Sequence, residues 1–324
     1  MWKTIARRFL ILIPQLFVLS LIVFIIAQIM PGDALRGRLG PDTTFEQYMA
    51  LREAAGLNDP WYVQYARWMG DILLRGDFGT SLGISPGRPV TEVIGERMPN
   101  TVRLSLMTSL FLYMIAVPLG ILAARKKGRI LDKTIMVYTF VALSLPSVVF
   151  GLFNILNFAL NRQWFPSRGS IDVLAFGAGG MVAFMSRIEH LLLPALTGAM
   201  LGTVTVIYFL RSEIIDFEAS DFVTTAKSKG VPNNKIYTRH ILRNALLPIA
   251  GHFGIVIAGV FVGSFFIETV FSFSGMGELF ITSIMRRDFP VANTLIMFYA
   301  IMGVVSVLIA DIAITIIDPR IRIK

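Results

Sequence analysis

The chain has 324 residues, of which 55% are hydrophobic and only 16% charged, whereas soluble domains carry about a quarter charged. A soluble fold of this size cannot hide that much apolar surface, so the sequence reads as an integral membrane protein with an all-α fold. The net charge of +9 is then a matter of membrane topology, with no nucleic acid needed, and the lack of cysteine excludes disulfides, thiol nucleophiles, thiolate zinc sites and iron–sulfur clusters.

Six uncharged stretches are long enough to cross about 30 Å of hydrocarbon, roughly 20 helical residues. The first, Phe9–Met30, follows Lys3, Arg7 and Arg8. Its apolar run is too long for a signal peptide and no A-x-A site follows, so it reads as a retained helix. The second is Leu104–Ala124. The third, Thr134–Leu160, is long enough to tilt. Leu191–Leu210 is the fourth, Asn244–Ile267 the fifth, and Phe289–Ala310, continuing past Asp311 to Ile317, the sixth. Val173–Ser186 is uncharged but short, with Gly177, Gly179 and Gly180 inside, and suits an interfacial or re-entrant piece. Pro14, Pro118, Pro146, Pro194 and Pro248 are expected to kink their helices.

Six spans put both termini on one side. With that side cytoplasmic, the inner segments 1–8, 125–133, 211–243 and 318–324 hold 17 of the 30 Lys and Arg residues. Their net charge, counting Asp311 with that end of the sixth span, is +10 against −1 outside, which the positive-inside rule favours.

Two segments outside the spans are more than turns. In the outer one, Thr44 and Gln47 form a capping-box pair opening a short helix to Ala55, with Gly56 past its end. Asp59 is expected to cap a second helix with Pro60 at its first position. On this helix Trp61, Tyr65, Trp68 and Ile72 share one face, and Gly76 ends it. That face suits either the membrane interface or packing on the bundle. In the inner one, Asp221–Lys229 reads as a short helix with Lys227 and Lys229 in its last turn, Gly230 just past it and Pro232 blocking continuation. Lys235–Leu247 is a second amphipathic stretch leading to Pro248. Such a piece suits docking of a soluble partner or a solvated loop equally.

Catalytic signals are missing. The sequence has no GxxxxGK[ST], no GxSxG and no HExxH, and His190, His240 and His252 are far apart. A proton-coupled carrier needs buried carboxylates, yet Asp311, His252 and Glu268 sit near span ends where each reaches an interface. A secondary carrier would therefore need a source of energy other than a buried proton relay, and nothing supports a membrane enzyme or an assembly factor.

The ordered motifs resemble the permease subunits of ATP-driven ABC importers of the oligopeptide, dipeptide and nickel group, most like the oligopeptide B-type permease. They begin with Met30-Pro31-Gly32-Asp33, then Gln64-Tyr65 and Trp68, and Gly76-Asp77-Phe78-Gly79-Thr80-Ser81. Val90-Thr91, Arg97-Met98-Pro99-Asn100-Thr101 and Ser144-Leu145-Pro146 come next. The inner loop reads Asp221-Phe222-Val223-Thr224-Thr225-Ala226-Lys227-Ser228-Lys229-Gly230, then His240-Ile241-Leu242-Arg243-Asn244 through Pro248. Glu268-Thr269-Val270-Phe271, Gly275-Met276-Gly277, Arg287-Asp288-Phe289-Pro290 and Asp318-Pro319-Arg320-Ile321-Arg322 close the set. Thr224 stands where the family's loop carries glutamate.

The resemblance implies a type I ABC importer permease fold. Residues 1–30 would be the N-terminal tail and first span, 31–98 an extracellular helical loop, 99–317 the permease core with coupling loop 211–248, and 318–324 a cytoplasmic tail. It implies a multi-pass protein of the cell membrane that carries oligopeptides, with dipeptides, nickel chelates or sugars as alternatives. It implies a heterodimer with a homologous permease, two ABC ATPase subunits that bind the ATP, and an extracellular solute-binding protein. The chain itself would need no cofactor and do no catalysis. The ATPase-coupling residues would be Asp221, Phe222, Thr224, Thr225, Ala226, Lys227, Lys229, Gly230, His240, Arg243, Asn244 and Pro248.

Overall fold

The computed structural model describes residues 2–29, 44–54, 58–246 and 253–317. Helix α1 is Trp2–Ile29, with Pro14 inside it. The short helices α2 (Phe45–Ala54) and α3 (Trp61–Gly70) follow, and α3 runs on as a π-helical turn, Asp71–Arg75. Next come α4 (Val90–Arg125) and α5 (Ile130–Ser144), then α6 (Ser147–Asn154) with a π-helical extension Ile155–Asn161. Helix α7 is Val173–Ala178, α8 is Gly180–Glu218 and α9 is Asp221–Ser228. Helix α10 (Asn233–Lys235) passes through a π-helical turn, Ile236–Ile241, into α11 (Leu242–Ala245). Helices α12 (Phe253–Val262), α13 (Phe265–Val270), α14 (Met276–Met285) and α15 (Phe289–Ile317) complete the order.

Three of these, α4, α8 and the Phe289–Ala310 part of α15, are long and apolar enough to cross a membrane among the described residues. The 28-residue α1 covers the first expected span as far as Ile29, the last of its residues described. The third expected span is broken, since α5 and the helix begun at Ser147 meet at 104°. The cause is local. Pro146 excludes the α conformation at Leu145, which sits extended at φ −84 and ψ 123. The expected fifth span falls partly on 247–252, outside the described residues. Its described part breaks between α12 and α13, where Gly263 adopts φ +71. The fourth is longer than expected. Gly179, at φ 63 and ψ −175, ends the single turn α7 and starts α8 at Gly180, so Met181–Ser186 belongs to the 39-residue helix, not to an interfacial piece.

The chain divides into two compact units that do not follow its sequence order. One comprises Met1–Thr101 with Ser274–Val304, the other Val102–Phe273 with Val305–Lys324. In the first, Val90, Val93 and Ile94 pack with Met276, Leu279, Val291 and Leu295. The Asp288 carboxylate, fully buried, accepts hydrogen bonds from the Ser81 hydroxyl and from the Gly83 and Ile84 amides. Asn100 donates to the Ser274 carbonyl, Thr101 Oγ1 accepts from the Met276 amide, and Arg97 pairs with Glu278 at 3.1 Å. In the second unit, Leu104, Leu191, Leu193 and Ala195 pack with Ile267, Phe271 and Phe273. Helix α8 is closely approached there: a Cβ at Gly198 would lie 3.1 Å from Thr108, and Leu210 stands 3.2 Å from the Cβ position of Gly120. Glu268, expected near an interface, is fully buried.

The short helices of the first unit confirm one cap and correct another. The Thr44 amide donates to Gln47 Oε1 and the Gln47 amide to Thr44 Oγ1, at 3.1 and 3.3 Å, a reciprocal capping box. Asp59 does not cap α3. Pro60 occupies the N-cap position, and the Asp59 carboxylate pairs with Arg67 at 2.7 Å. Gly76 ends the helical stretch in the left-handed region, as its position predicts.

Candidate functional site

The inner loop is built from the end of α8. The Asp216 and Phe217 carbonyls accept from the Ala219 and Ser220 amides, which turns the chain out of the helix. The Ser220 carbonyl then accepts from the Val223 and Thr224 amides and opens α9. Its far end closes with a 6→1 bond from the Val231 amide to the Ala226 carbonyl and a bond from Gly230 to Lys227. Gly230 makes this closure at φ +73, a conformation that side chains other than glycine and asparagine resist. Pro232 lacks an amide to continue the helix, and its carbonyl accepts from Lys235 and Ile236 to start the next turn.

Helix α9 has two faces. Val223 is fully buried and Ala226 nearly so, and they join Ile236, Ile241 and Ala245 in one apolar cluster with Leu210, Ile214 and Ala124. The spacing of three that pairs Val223 with Ala226 puts them on one side of the helix. The other side is bare: Asp221, Phe222, Thr224, Thr225, Lys227 and Lys229 are exposed, as is Gly230. Ala226 thus serves the anchor and not the open face. His240 and Asn244 are half-buried, with Asn244 Nδ2 donating to the His240 carbonyl at 2.7 Å, and Arg243 is exposed. Pro248 lies outside the described residues.

Two supports were not legible in the sequence. Arg211, on the inner part of α8, makes a bidentate contact with Asp132 through Nε at 2.7 Å and Nη2 at 2.9 Å. The same carboxylate accepts from the Gly128 amide, so the 126–129 turn is tied to the root of the loop. The Arg125 guanidinium lies 4.5 Å above the Tyr237 ring. Burial pushes the Tyr237 phenol up to about 12, and its buried hydroxyl finds no hydrogen-bond partner among the described residues. The loop is therefore a short, well-terminated helix fixed by its apolar face to a long helix.

The membrane part of the second unit also holds a cavity of about 440 Å³. Its lining is apolar apart from Tyr138, Asn154 and Thr197. Asn154 Nδ2 donates to Thr197 Oγ1 at 3.0 Å, and the Tyr138 hydroxyl lies 2.9 Å from the Met200 carbonyl.

Comparison with known proteins places this arrangement. Residues 116–323 match the family of inner membrane components of binding-protein-dependent transport systems, and residues 1–105 match the N-terminal part of such components. The chain belongs to that family and is a multi-pass membrane permease component, non-catalytic in itself. It is 37% identical over 318 residues, 98% of each chain, to the oligopeptide transport system permease protein AppB of Bacillus subtilis. It is 30% identical over 323 residues, the full length of both, to the dipeptide transport system permease protein DppB of Lactococcus lactis. Among solved structures, the inward-facing MetNI methionine ABC transporter shares the fold at a TM-score of 0.55 and 13% identity, over 70% of this chain and 97% of that one.

Proposed function

We propose that this permease subunit forms half of a path for oligopeptides, delivered by an extracellular solute-binding protein, and pairs with a homologous second permease. Two ABC ATPase subunits bind and hydrolyse the ATP, and α9 seats on them. Both termini face the cytoplasm, on the side where 17 of the 30 cationic residues fall. A peptide substrate is supported by the relatives' own names, and oligopeptide by that of AppB. It also suits the cavity, whose lining carries no charge to select among side chains.

The observation that carries the reading is the two-faced α9, anchored through Val223 and Ala226 while Phe222, Thr224, Thr225 and Lys227 stay bare. When the ATPases close on ATP, a helix held in this way transmits their movement to α8. The test is charge reversal, Lys227→Glu with Lys229→Glu, in the reconstituted importer. The expected result is ATP hydrolysis that no longer drives uptake, with assembly intact. Fully coupled uptake refutes the docking. Co-purification through a C-terminal tag checks the partners, and isolation of the chain alone while uptake persists refutes the assembly.

A further inference from the structure

We propose that the segment Trp61–Arg75 is set into the lipid leaflet at the C-terminal end of α1, and that its exposed apolar side chains contact lipid rather than a protein partner.

The depth follows from α1. Its uncharged run from Phe9 to Ile29 measures about 31 Å at ~1.5 Å per residue, close to the hydrocarbon thickness. Ile29 therefore marks the far boundary of the apolar core. On the same scale Phe24 lies about 7–8 Å below that boundary and Ser20 about 13–14 Å below it.

The segment packs at these levels. The Tyr65 and Trp68 rings lie 5.4 and 5.9 Å from the Phe24 ring, and Tyr65 also meets Phe17 at 6.1 Å. The Tyr65 hydroxyl is 2.7 Å from Ser20 Oγ, and Gln28 donates to Gln64 Oε1 at 2.9 Å. The helix thus rests on α1 below the boundary, at the depth where amphipathic helices lie in the interface.

Its remaining surface fits that solvent. Trp61 and Tyr62 are 57% and 59% exposed, and Leu73 and Leu74 are 72% and 86% exposed. Tryptophan and tyrosine favour the headgroup level, and leucine favours the acyl chains. On α1 itself Phe17, Ile22, Ile25 and Ile26 are exposed too, as lipid-facing side chains of a spanning helix are. The cations of the segment are partnered, Arg67 with Asp59 at 2.7 Å and Arg75 with Asp71 at 3.1 Å, which lowers the penalty for holding them at this level.

Because the chain contains no cysteine, single labels test the depth directly. Tyr62→Cys and Leu74→Cys carry a nitroxide in the full chain in lipid nanodiscs, with Ile22→Cys as the lipid reference and Ser228→Cys as the aqueous one. Collision with oxygen, which concentrates in lipid, is compared with collision with a water-soluble nickel chelate. The expected result is an oxygen-to-nickel ratio at Leu74 close to that of Ile22 and one at Tyr62 between Ile22 and Ser228, both several-fold above Ser228. Ratios matching Ser228 overturn the proposal. Exclusion of both reagents at both sites also overturns it, because a protein surface then covers the patch.

Discussion

The Asp132–Arg211 contact offers the most direct test of how the inner loop is held. The perturbation is Arg211→Ala. It leaves the Asp132 carboxylate, whose side chain is only 5% exposed, with the Gly128 amide as its remaining partner. Removing one member of a buried pair costs about 3–5 kcal/mol because the other stays charged and unpaired. Arg211 is itself a quarter exposed and water reaches that side, so the expected loss falls just below that range, about 2–3 kcal/mol. Arg211→Lys keeps the charge but cannot reproduce the two-pronged contact through Nε and Nη2, and about 1–2 kcal/mol is expected.

The assay is denaturant unfolding of the purified chain in mild detergent, run as a double-mutant cycle with Asp132→Ala. If the two groups act on each other, the double variant recovers about 1–3 kcal/mol relative to the sum of the singles. Arg88→Ala is the control. Its contact with Glu96 is as short, at 2.6 Å, but solvent surrounds both groups, so its unfolding midpoint stays where it is. An unchanged midpoint for Arg211→Ala, or strict additivity in the cycle, would refute the claim that this pair braces the loop.

Tyr237→Phe removes a buried hydroxyl that has no partner among the described residues, and is expected to leave stability unchanged or raise it by about 1 kcal/mol in the same assay. Gly83→Ala would place a Cβ 2.8 Å from the Arg286 backbone oxygen, which cannot swing away, and should lower stability by about 1–3 kcal/mol. Gly95→Ala meets nothing within 4 Å in the exposed part of α4, and should raise stability by about 0.5–1 kcal/mol. Asp288→Ala strips the acceptor from Ser81, Gly83 and Ile84 together, and should cost about 3 kcal/mol and open the 80–90 loop to limited proteolysis. Ser81→Ala should cost less than half of that.

The features legible in the sequence are those decided within one helical turn. Thr44 with Gln47, Gly76 and Gly230 were identifiable because a cap depends on neighbours three or four residues away. Pro146 could be read as a kink for the same reason, but not the 104° between the two halves. Asp59 is not the cap, since Pro60 takes the N-cap position, and its carboxylate pairs instead with Arg67 two turns further on. The illegible features join distant residues, as Asp132 with Arg211, Arg125 with Tyr237, and Ser81 with Asp288. No periodicity marks such pairs, and only the resemblance singled out some of their members.

The inner loop shows how far local reading reaches. Helical spacing alone puts residues 223 and 226 on one side, but only their burial against Ile214, Ile236 and Ile241 decides that this is the anchored side. Once it is fixed, the open face follows as its complement. That face holds Phe222 as its one large apolar group, 38% exposed, beside Thr224 and Thr225. Its charges are Asp221 at the start and Lys227 and Lys229 at the end, each where the helix dipole favours it. With threonine at 224 in place of the family's glutamate, the face carries one carboxylate and two ammonium groups. On the docking proposed above, a partner groove that fits this face needs an apolar slot for Phe222 and carboxylates opposite the last turn, and reversing Lys227 and Lys229 should then disturb coupling more than any change at Ala226 that leaves the anchor packed.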